Sequence, residues 1–312
     1  MGELRKDYIL DRWVLYSMSR GTRPHELQQI QTAVQGICFF CPGNEHLTPP
    51  ELGRIGTKDS WRVRWFANKF AALEPTGNPE PHTENKFFTF ANNYGYHEVI
   101  VETPQHPAQL AELSVAEIAD VLGVYQQRIA DLGKRKNIAY VSVIKNHGYQ
   151  GGTSIVHTHS QVFATAIVPP AVREKIAAVR RFLKCPYCDI IAAEKDSERR
   201  CFENKEWVAF CPYASRYNDE VWIFPKKHIR TLAQANLDSL ADILQRVLAR
   251  LSAHQISYNY ALTYAPEGED LHFHIEVMPQ ASIWGGFERG SGAIINAVLP
   301  EEAAKFYRGQ EH

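Results

Sequence analysis

One ordered pattern runs through the chain twice: Cys-x-x-Cys, then a lone His close behind a Pro, then His-x-His. The first copy is Cys38, Cys41, His106 and His157 with His159; the second is Cys185, Cys188, His228 and His272 with His274. Two thiolates and two imidazoles suit a tetrahedral zinc ion, so Cys38, Cys41, His106 and His157 make one expected site. Cys185, Cys188, His228 and His272 make the other. In each copy one His is left over beyond the four ligands, and that residue is where chemistry is expected.

The residues around the ligands repeat in the same order. Trp61 to Phe66, Lys86 to Phe90 and Glu98 to Glu102 read as strands, the last stopped by Pro104 just ahead of His106. Ser114 and Glu117 form a capping box, and Ile118, Val121, Leu122, Tyr125, Ile129 and Leu132 recur at helical spacing. A β-branched run, 139–144, breaks at a glycine-rich turn over 146–152, and the first His-x-His lies in an extended segment over 155–164. The second half repeats this with a strand over 221–224 ended by Pro225, a helix carrying Leu240, Ile243, Leu244, Val247, Leu248 and Leu251, and strands over 257–264 and 271–278. Internal duplication is the economical reading. It predicts an α+β chain of two units, each an antiparallel sheet with a covering helix, spanning 1–170 and 171–312, with a connecting helix over 171–184.

Composition narrows the class of partner. Of 312 residues, 45% are apolar and 22% charged, which suits two globular domains with real cores. A net charge of −1 gives no electrostatic footprint for nucleic acid. No run approaches the roughly 20 apolar residues of a membrane span, and the first residues lack a secretory pattern, so a cytoplasmic protein is expected. Reducing surroundings favour metal binding over disulfides for the paired cysteines, with Cys201 and Cys211 as buried, inert thiols.

The two spare histidines differ in their neighbours. Residues i and i+2 of a strand share a face, so a metal on His157 would place His159 with little freedom. His159 follows Gly151, Gly152, Thr153 and Ser154, whose backbone N–H groups and hydroxyl can cradle a phosphate, and Gln161 lies farther along the same face. A fixed imidazole in that setting is suited to attack phosphorus. His274 has Asp270 ahead of it and Glu276 in place of the Gln, which predicts one catalytic unit and one degenerate one.

These residues, with Arg5-Lys6-Asp7, Arg12-Trp13-Val14, Arg20-Gly21-Thr22-Arg23-Pro24, Asn68 to Leu73, Glu98 to Val101 and Ser154 to Gln161, resemble the galactose-1-phosphate uridylyltransferase family. That family is a two-module branch of the histidine-triad superfamily, and the resemblance covers nearly the whole chain. It implies a tandem pair of histidine-triad-like modules. It also implies that His159 is the nucleophile, carrying a nucleoside monophosphate from a nucleotide sugar to a hexose 1-phosphate or phosphate. Ser154 and Gln161 fall on phosphate-contacting positions, and Asn68 and Asn146 on nucleotide-contacting ones. Arg20 and Arg23 match arginines that reach in from the partner of a homodimer; Phe287 and Glu288 match a hexose-contacting pair. Zinc is implied at the first Cys/His set. At the second, bacterial members carry iron on other residues, one of them near Thr263, whereas the ligands present here favour a second zinc. No organic cofactor is implied.

The resemblance leads first to transfer of uridylyl from UDP-glucose to galactose 1-phosphate. Thr158 stands where that enzyme has Pro, however, and no Lys lies just ahead of Gly286-Phe287-Glu288. Both features resemble the ADP-glucose phosphorylase branch, in which phosphate accepts adenylyl. Hydrolysis of the nucleotidyl-His, and a nucleotide-binding zinc scaffold without turnover, stand as further alternatives.

Overall fold

The computed structural model describes residues 2–18 and 36–310. Its strands are β1 (Glu3–Lys6), β2 (Trp13–Tyr16), β3 (Glu51–Gly56), β4 (Trp61–Ala67), β5 (His82–Glu84), β6 (Phe88–Phe90), β7 (Gly95–Val101), β8 (Tyr140–His147), β9 (His159–Thr165), β10 (Arg200–Glu203), β11 (Trp207–Phe210), β12 (Val221–Pro225), β13 (Tyr258–Thr263), β14 (His274–Pro279) and β15 (Ile294–Asn296). The helices are α1 (Val115–Gly133), α2 (Pro170–Val179), α3 (Pro186–Glu194), α4 (Leu237–Ala253), α5 (Gly286–Ser291) and α6 (Pro300–Arg308). Among the described residues no helix is long and apolar enough to cross a membrane.

The two long helices form where the periodicity places them. Ser114 Oγ accepts from the Glu117 N–H at 3.3 Å while Glu117 Oε2 accepts from the Ser114 N–H at 2.8 Å, which starts α1. Asn236 caps α4 by accepting from Ser239 N–H at 3.1 Å. Each helix buries its apolar stripe, Ile118, Val121, Leu122, Tyr125 and Leu132 in α1 and Leu240 through Leu251 in α4. Full burial of each aliphatic side chain contributes about 1.5–3 kcal/mol. Both stripes belong to one continuous core with the strands beneath.

The architecture is α+β with antiparallel sheets, as the sequence implies, but the sheets of the two halves are joined. Ten strands run in the order β10-β11-β12-β14-β13-β8-β9-β7-β4-β3. The halves meet where β8 pairs antiparallel with β13, His147 opposite Tyr258 and Ile144 opposite Ala261. Read outward from that seam, β8, β9, β7 and β4 repeat as β13, β14, β12 and β11. The expected break at Asn146 does not occur, because β13 continues the ladder through His147 and so extends β8.

Other boundaries also move. The expected extended segment over 155–164 becomes strand only at His159, since the β7 ladder ends with Val101 opposite His159 and His157 turns toward the cysteines. The connecting helix α2 stops at Val179 rather than Lys184; Phe182 and Leu183 are exposed and bury nothing that would hold another turn. The run 86–90 yields only β6, paired with β5 as a separate exposed hairpin. A small sheet, β1-β2-β15, ties the start of the chain to its last segment. Arg5, with Glu301 at 2.9 Å, and Arg199, bonded to both Glu301 and Glu194, hold α6 against this region.

Candidate active site

Each set of four expected ligands is brought together. Cys38, Cys41, His106 and His157 place one ligand atom each within 4.8 Å of one another, and so do Cys185, Cys188, His228 and His272. His157 Nδ1 lies 3.6 Å from Cys38 Sγ and 3.7 Å from Cys41 Sγ, and His106 Nδ1 lies 3.3 Å from Cys41 Sγ. In the second set His272 Nδ1 is 3.6 Å from Cys188 Sγ and 4.0 Å from Cys185 Sγ, and His228 Nδ1 is 3.5 Å from Cys188 Sγ.

The groups behind these ligands orient them. His157 Nε2–H donates to the Thr103 carbonyl at 2.7 Å and His272 Nε2–H to the Pro225 carbonyl at 2.9 Å, which turns each Nδ1 lone pair toward the thiols. His228 Nε2–H donates to Asp270 Oδ1 at 3.0 Å. Asp270 therefore supports a cluster histidine, a role its position ahead of His272 did not reveal. Burial and the neighbouring Cys38 push the Cys41 thiol up to about 11, and burial and Cys185 push Cys188 up to about 12. Two thiols and two imidazoles converging in each cluster make a soft, four-membered donor set, so both sets fit a bound metal. Thr263, on β13, belongs to neither set.

His159 is the first residue of β9, and its Nδ1–H donates to the His157 carbonyl at 2.9 Å. That bond selects the tautomer with a free Nε2 lone pair. Burial pulls the ring's pKa below the ordinary value, so the imidazole is neutral. Phe40, between the two cysteines of the first loop, sets its ring edge-on to His159 with centroids 5.2 Å apart.

Gln161 is oriented by a residue that sequence reading did not single out. His97 on β7 accepts the Ala72 N–H at Nδ1, 3.2 Å away, so its Nε2–H donates to Gln161 Oε1 at 2.9 Å. The Gln161 amide nitrogen is thereby left as the donor. Asn68 Nδ2 lies 3.0 Å from the same His97 nitrogen, and Phe163 stacks on the ring at 3.9 Å. Nothing in the pattern of the chain marks His97, because its partner lies 64 residues away.

Asn146 also has a partner that was not anticipated. Asn259, from the second half, donates from Nδ2 to Asn146 Oδ1 and to the Gly151 carbonyl, both at 2.7 Å. Thr153 Oγ1 donates to the Asn146 carbonyl at 2.7 Å, closing the glycine-rich turn on itself. Gly151 is dictated by close approach: a Cβ there would stand 2.3 Å from the His147 carbonyl oxygen and 2.9 Å from that of Tyr258. Ser154 follows, exposed at the edge of the turn.

Two further expected substrate contacts lie in the last segment of the chain. Phe287 and Glu288 lie in α5, packed against β15 of the small sheet, and Glu288 Oε2 accepts the Gly285 N–H at 2.9 Å, capping its own helix. Arg20 and Arg23 fall outside the described residues.

The second copy has the same skeleton with its pocket filled. His274 Nδ1–H donates to the His272 carbonyl at 2.8 Å, matching His159. Its ring, however, is fully buried, stacked on Phe224 with centroids 4.5 Å apart and flanked by Tyr187 at 5.2 Å. Its Nε2 faces Glu276 Oε1 at 3.3 Å. Lys175, reaching in from α2, ion-pairs with the same carboxylate, and Arg216 bonds it at 3.3 Å. Side-chain charges thus crowd the Nε2 side of His274.

Comparison with known proteins places these features in context. Residues 2–169 match the family described as galactose-1-phosphate uridyl transferase, N-terminal domain. The chain is 32% identical to an ADP-glucose phosphorylase of Arabidopsis thaliana, covering 98% of this chain and 92% of the relative. It is 28% identical to a galactose-1-phosphate uridylyltransferase of Thermotoga maritima, covering 100% and 99%. A crystal structure of an ADP-glucose phosphorylase from Arabidopsis thaliana with bound ADP-glucose superposes with a TM-score of 0.84 at 30% identity, over 99% of both chains.

Proposed function

The chain belongs to the galactose-1-phosphate uridyl transferase family, and from that membership we propose that its nucleotidyl transfer runs through His159, from a nucleotide sugar to a phosphate-bearing acceptor. The observation that carries this reading is the 2.9 Å bond from His159 Nδ1–H to the His157 carbonyl, which leaves a neutral Nε2 as nucleophile beside the Gln161 amide.

In the first half-reaction Nε2 attacks the α-phosphorus in line. The N–P bond forms as the bond from phosphorus to the bridging oxygen breaks, and hexose 1-phosphate leaves with that electron pair. The positive charge on the ring is shared through Nδ1–H with the His157 carbonyl. In the second half-reaction an acceptor phosphate oxygen attacks the same phosphorus, the N–P bond breaks, and His159 returns to its neutral state. Two inversions give net retention. The Gln161 amide and the Ser154 hydroxyl stabilise the non-bridging oxygens, the N–H groups of Gly152 and Thr153 being taken by the Tyr149 and Gly148 carbonyls, while Asn68 and Asn146 contact the nucleotide. Each exchange is close to balanced in energy, so positioning and charge stabilisation carry the rate.

The module spanning 1–170 is, in this reading, the catalytic one, and 171–312 is its degenerate copy. Zinc held by Cys38, Cys41, His106 and His157, and by Cys185, Cys188, His228 and His272, would supply a rigid template. Arg20 and Arg23 would act across a homodimer, and Phe287 and Glu288 would meet the hexose.

Two donor and acceptor pairs each have support. ADP-glucose with phosphate is supported by His157-Thr158-His159-Ser160-Gln161, by the Gly-Gly-Phe-Glu run, and by the 32% identity to the phosphorylase. UDP-glucose with galactose 1-phosphate is supported by the full-length match to the Thermotoga enzyme. Intact mass after incubation with each nucleotide sugar tests the common step: an adenylyl or uridylyl increment is expected, lost in His159→Ala. Its absence with both sugars would overturn the proposal. Discharge of the adduct by phosphate or by galactose 1-phosphate then selects the acceptor.

A further inference from the structure

Behind His159, on the face of the sheet covered by α1, lies a buried charged cluster that the transfer steps do not use. Thr158 and Ser160, the two neighbours of His159, both reach Glu102. Thr158 Oγ1 donates to Oε2 at 2.6 Å, and Ser160 Oγ donates to Oε1. Lys145 Nζ donates to Glu102 Oε2 at 2.5 Å, to Thr158 Oγ1 at 2.8 Å and to the His159 carbonyl at 3.2 Å. Tyr125 Oη adds a bond to Glu102 at 3.0 Å and is itself tied to Tyr260 at 2.8 Å. Burial would raise the Glu102 carboxyl, but Lys145 and the two hydroxyls outweigh it and hold the group below the usual carboxylate range.

The fold does not require this cluster, because the second half of the same sheet is built without it. Lys145 lies opposite Ser160 in the first ladder, and Leu262 lies opposite Ile275 in the second. Thr158 and Ser160 before and after His159 correspond to Phe273 and Ile275 around His274. Val99 pairs with Gln161 as Trp222 pairs with Glu276; three residues on, Pro225 stands where Glu102 stands. All four replacements are apolar and buried. A buried ion pair contributes little net stability over well-packed apolar residues, so its retention in one copy alone points to a task other than folding.

The two histidines need different support. His274 is packed from its own side by Phe224 and Tyr187, and its pocket is full. His159 must leave that side open to a nucleotide sugar, with Val101 in the place of Phe224. Its backbone lies at the very start of β9, where a single 3.3 Å bond from the Glu102 N–H to the Thr158 carbonyl carries the β7 pairing beyond it. We propose that Glu102, with Lys145, is a positioning device for His159, fixing the 157–160 backbone from the far face of the sheet. The His157 carbonyl thereby keeps its hold on Nδ1–H, and Nε2 stays aimed into the site. This inference rests on the reading of His159 as nucleophile.

The test removes both charges together, in Glu102→Gln/Lys145→Met, so that neither is left uncompensated. Single-turnover formation of the nucleotidyl-His from UDP-glucose or ADP-glucose is expected to slow by about tenfold or more, with KM changed by less than about threefold. Nitrogen NMR of the His159 ring is expected to show one Nδ1–H tautomer in the wild type and a mixture in the variant. A folded double variant with an unchanged rate and a single tautomer would overturn the proposal. Thr158→Val removes one tether and should fold even where the double variant does not. It is expected to slow adduct formation by about threefold or more, with Thr158→Ser restoring the rate, and a Thr158→Val protein as fast as wild type is contrary to the proposal. A wild type that forms no adduct would defeat the nucleotidyl-transfer reading instead, and the tautomer measurement would then decide on the clamp alone.

Discussion

Asn259 donates to Asn146 Oδ1 at 2.7 Å across the seam between β13 and β8, so a residue of the second half orients a candidate nucleotide contact of the first. With its oxygen engaged, Asn146 has its amide N–H groups left as donors. Asn259→Ala is expected to lower kcat/KM by about tenfold and stability by ~1–2 kcal/mol, since two hydrogen bonds are lost. Steady-state kinetics with the active nucleotide sugar, alongside denaturant melts, check both numbers; unchanged kinetics would show that Asn146 needs no such support.

The two spare histidines should behave oppositely. His159→Ala is expected to lose the covalent adduct and to fall in turnover on the order of 10⁴-fold or more. His274→Ala should keep the adduct and lose stability instead, because its ring fills space between Phe224 and Tyr187. Intact mass and thermal melts on both variants separate the outcomes.

Metal content should divide between the two clusters. Wild-type protein is expected to bind two zinc ions per chain and Cys38→Ser one, by elemental analysis. Because Phe40 of that loop abuts His159, loss of the first metal should also slow adduct formation. Removing both metals by chelation should lower the melting temperature steeply, as structural zinc contributes of order 10 kcal/mol in small modules.

His147 makes folding sensitive to acid. Burial, reinforced by Lys145, pulls its pKa down to about 4, against roughly 6.5 in an unfolded chain. The unfolded state therefore binds the proton first. Stability from this group is complete above pH 6.5 and declines as pH falls toward 4, by roughly 3 kcal/mol in all. His147→Phe, which preserves the stack on Tyr258 at 4.6 Å, should flatten that decline in melts run between pH 7 and 4. An unchanged difference between the two proteins across that range would contradict this account.

The sequence is informative wherever an interaction is local or a pattern is repeated. The grouping of both Cys/His clusters, the capped helices α1 and α4, and the different neighbours of His159 and His274 all follow from spacing. What spacing does not show is where two distant segments meet. His97 and Gln161 belong to different strands, as do Asn259 and Asn146, and only the antiparallel register sets them side by side. The joining of two sheets into one was hidden for the same reason, since β8 and β13 are each alternating strands with nothing in them to name a partner. Glu288 adds a local bond that the motif did not show, accepting the Gly285 N–H at the start of its own helix.

The seam between β8 and β13 also bears on what the second half does for the first. Had the chain stopped after its first module, β8 would be an open edge, a row of unpaired N–H and C=O groups ready to recruit any stray strand. The second module closes that edge and props the glycine-rich turn through Asn259. The second copy thus stands as a wall beside the candidate site of the first, and a mutation far from Asn146 in sequence can act on it through that wall.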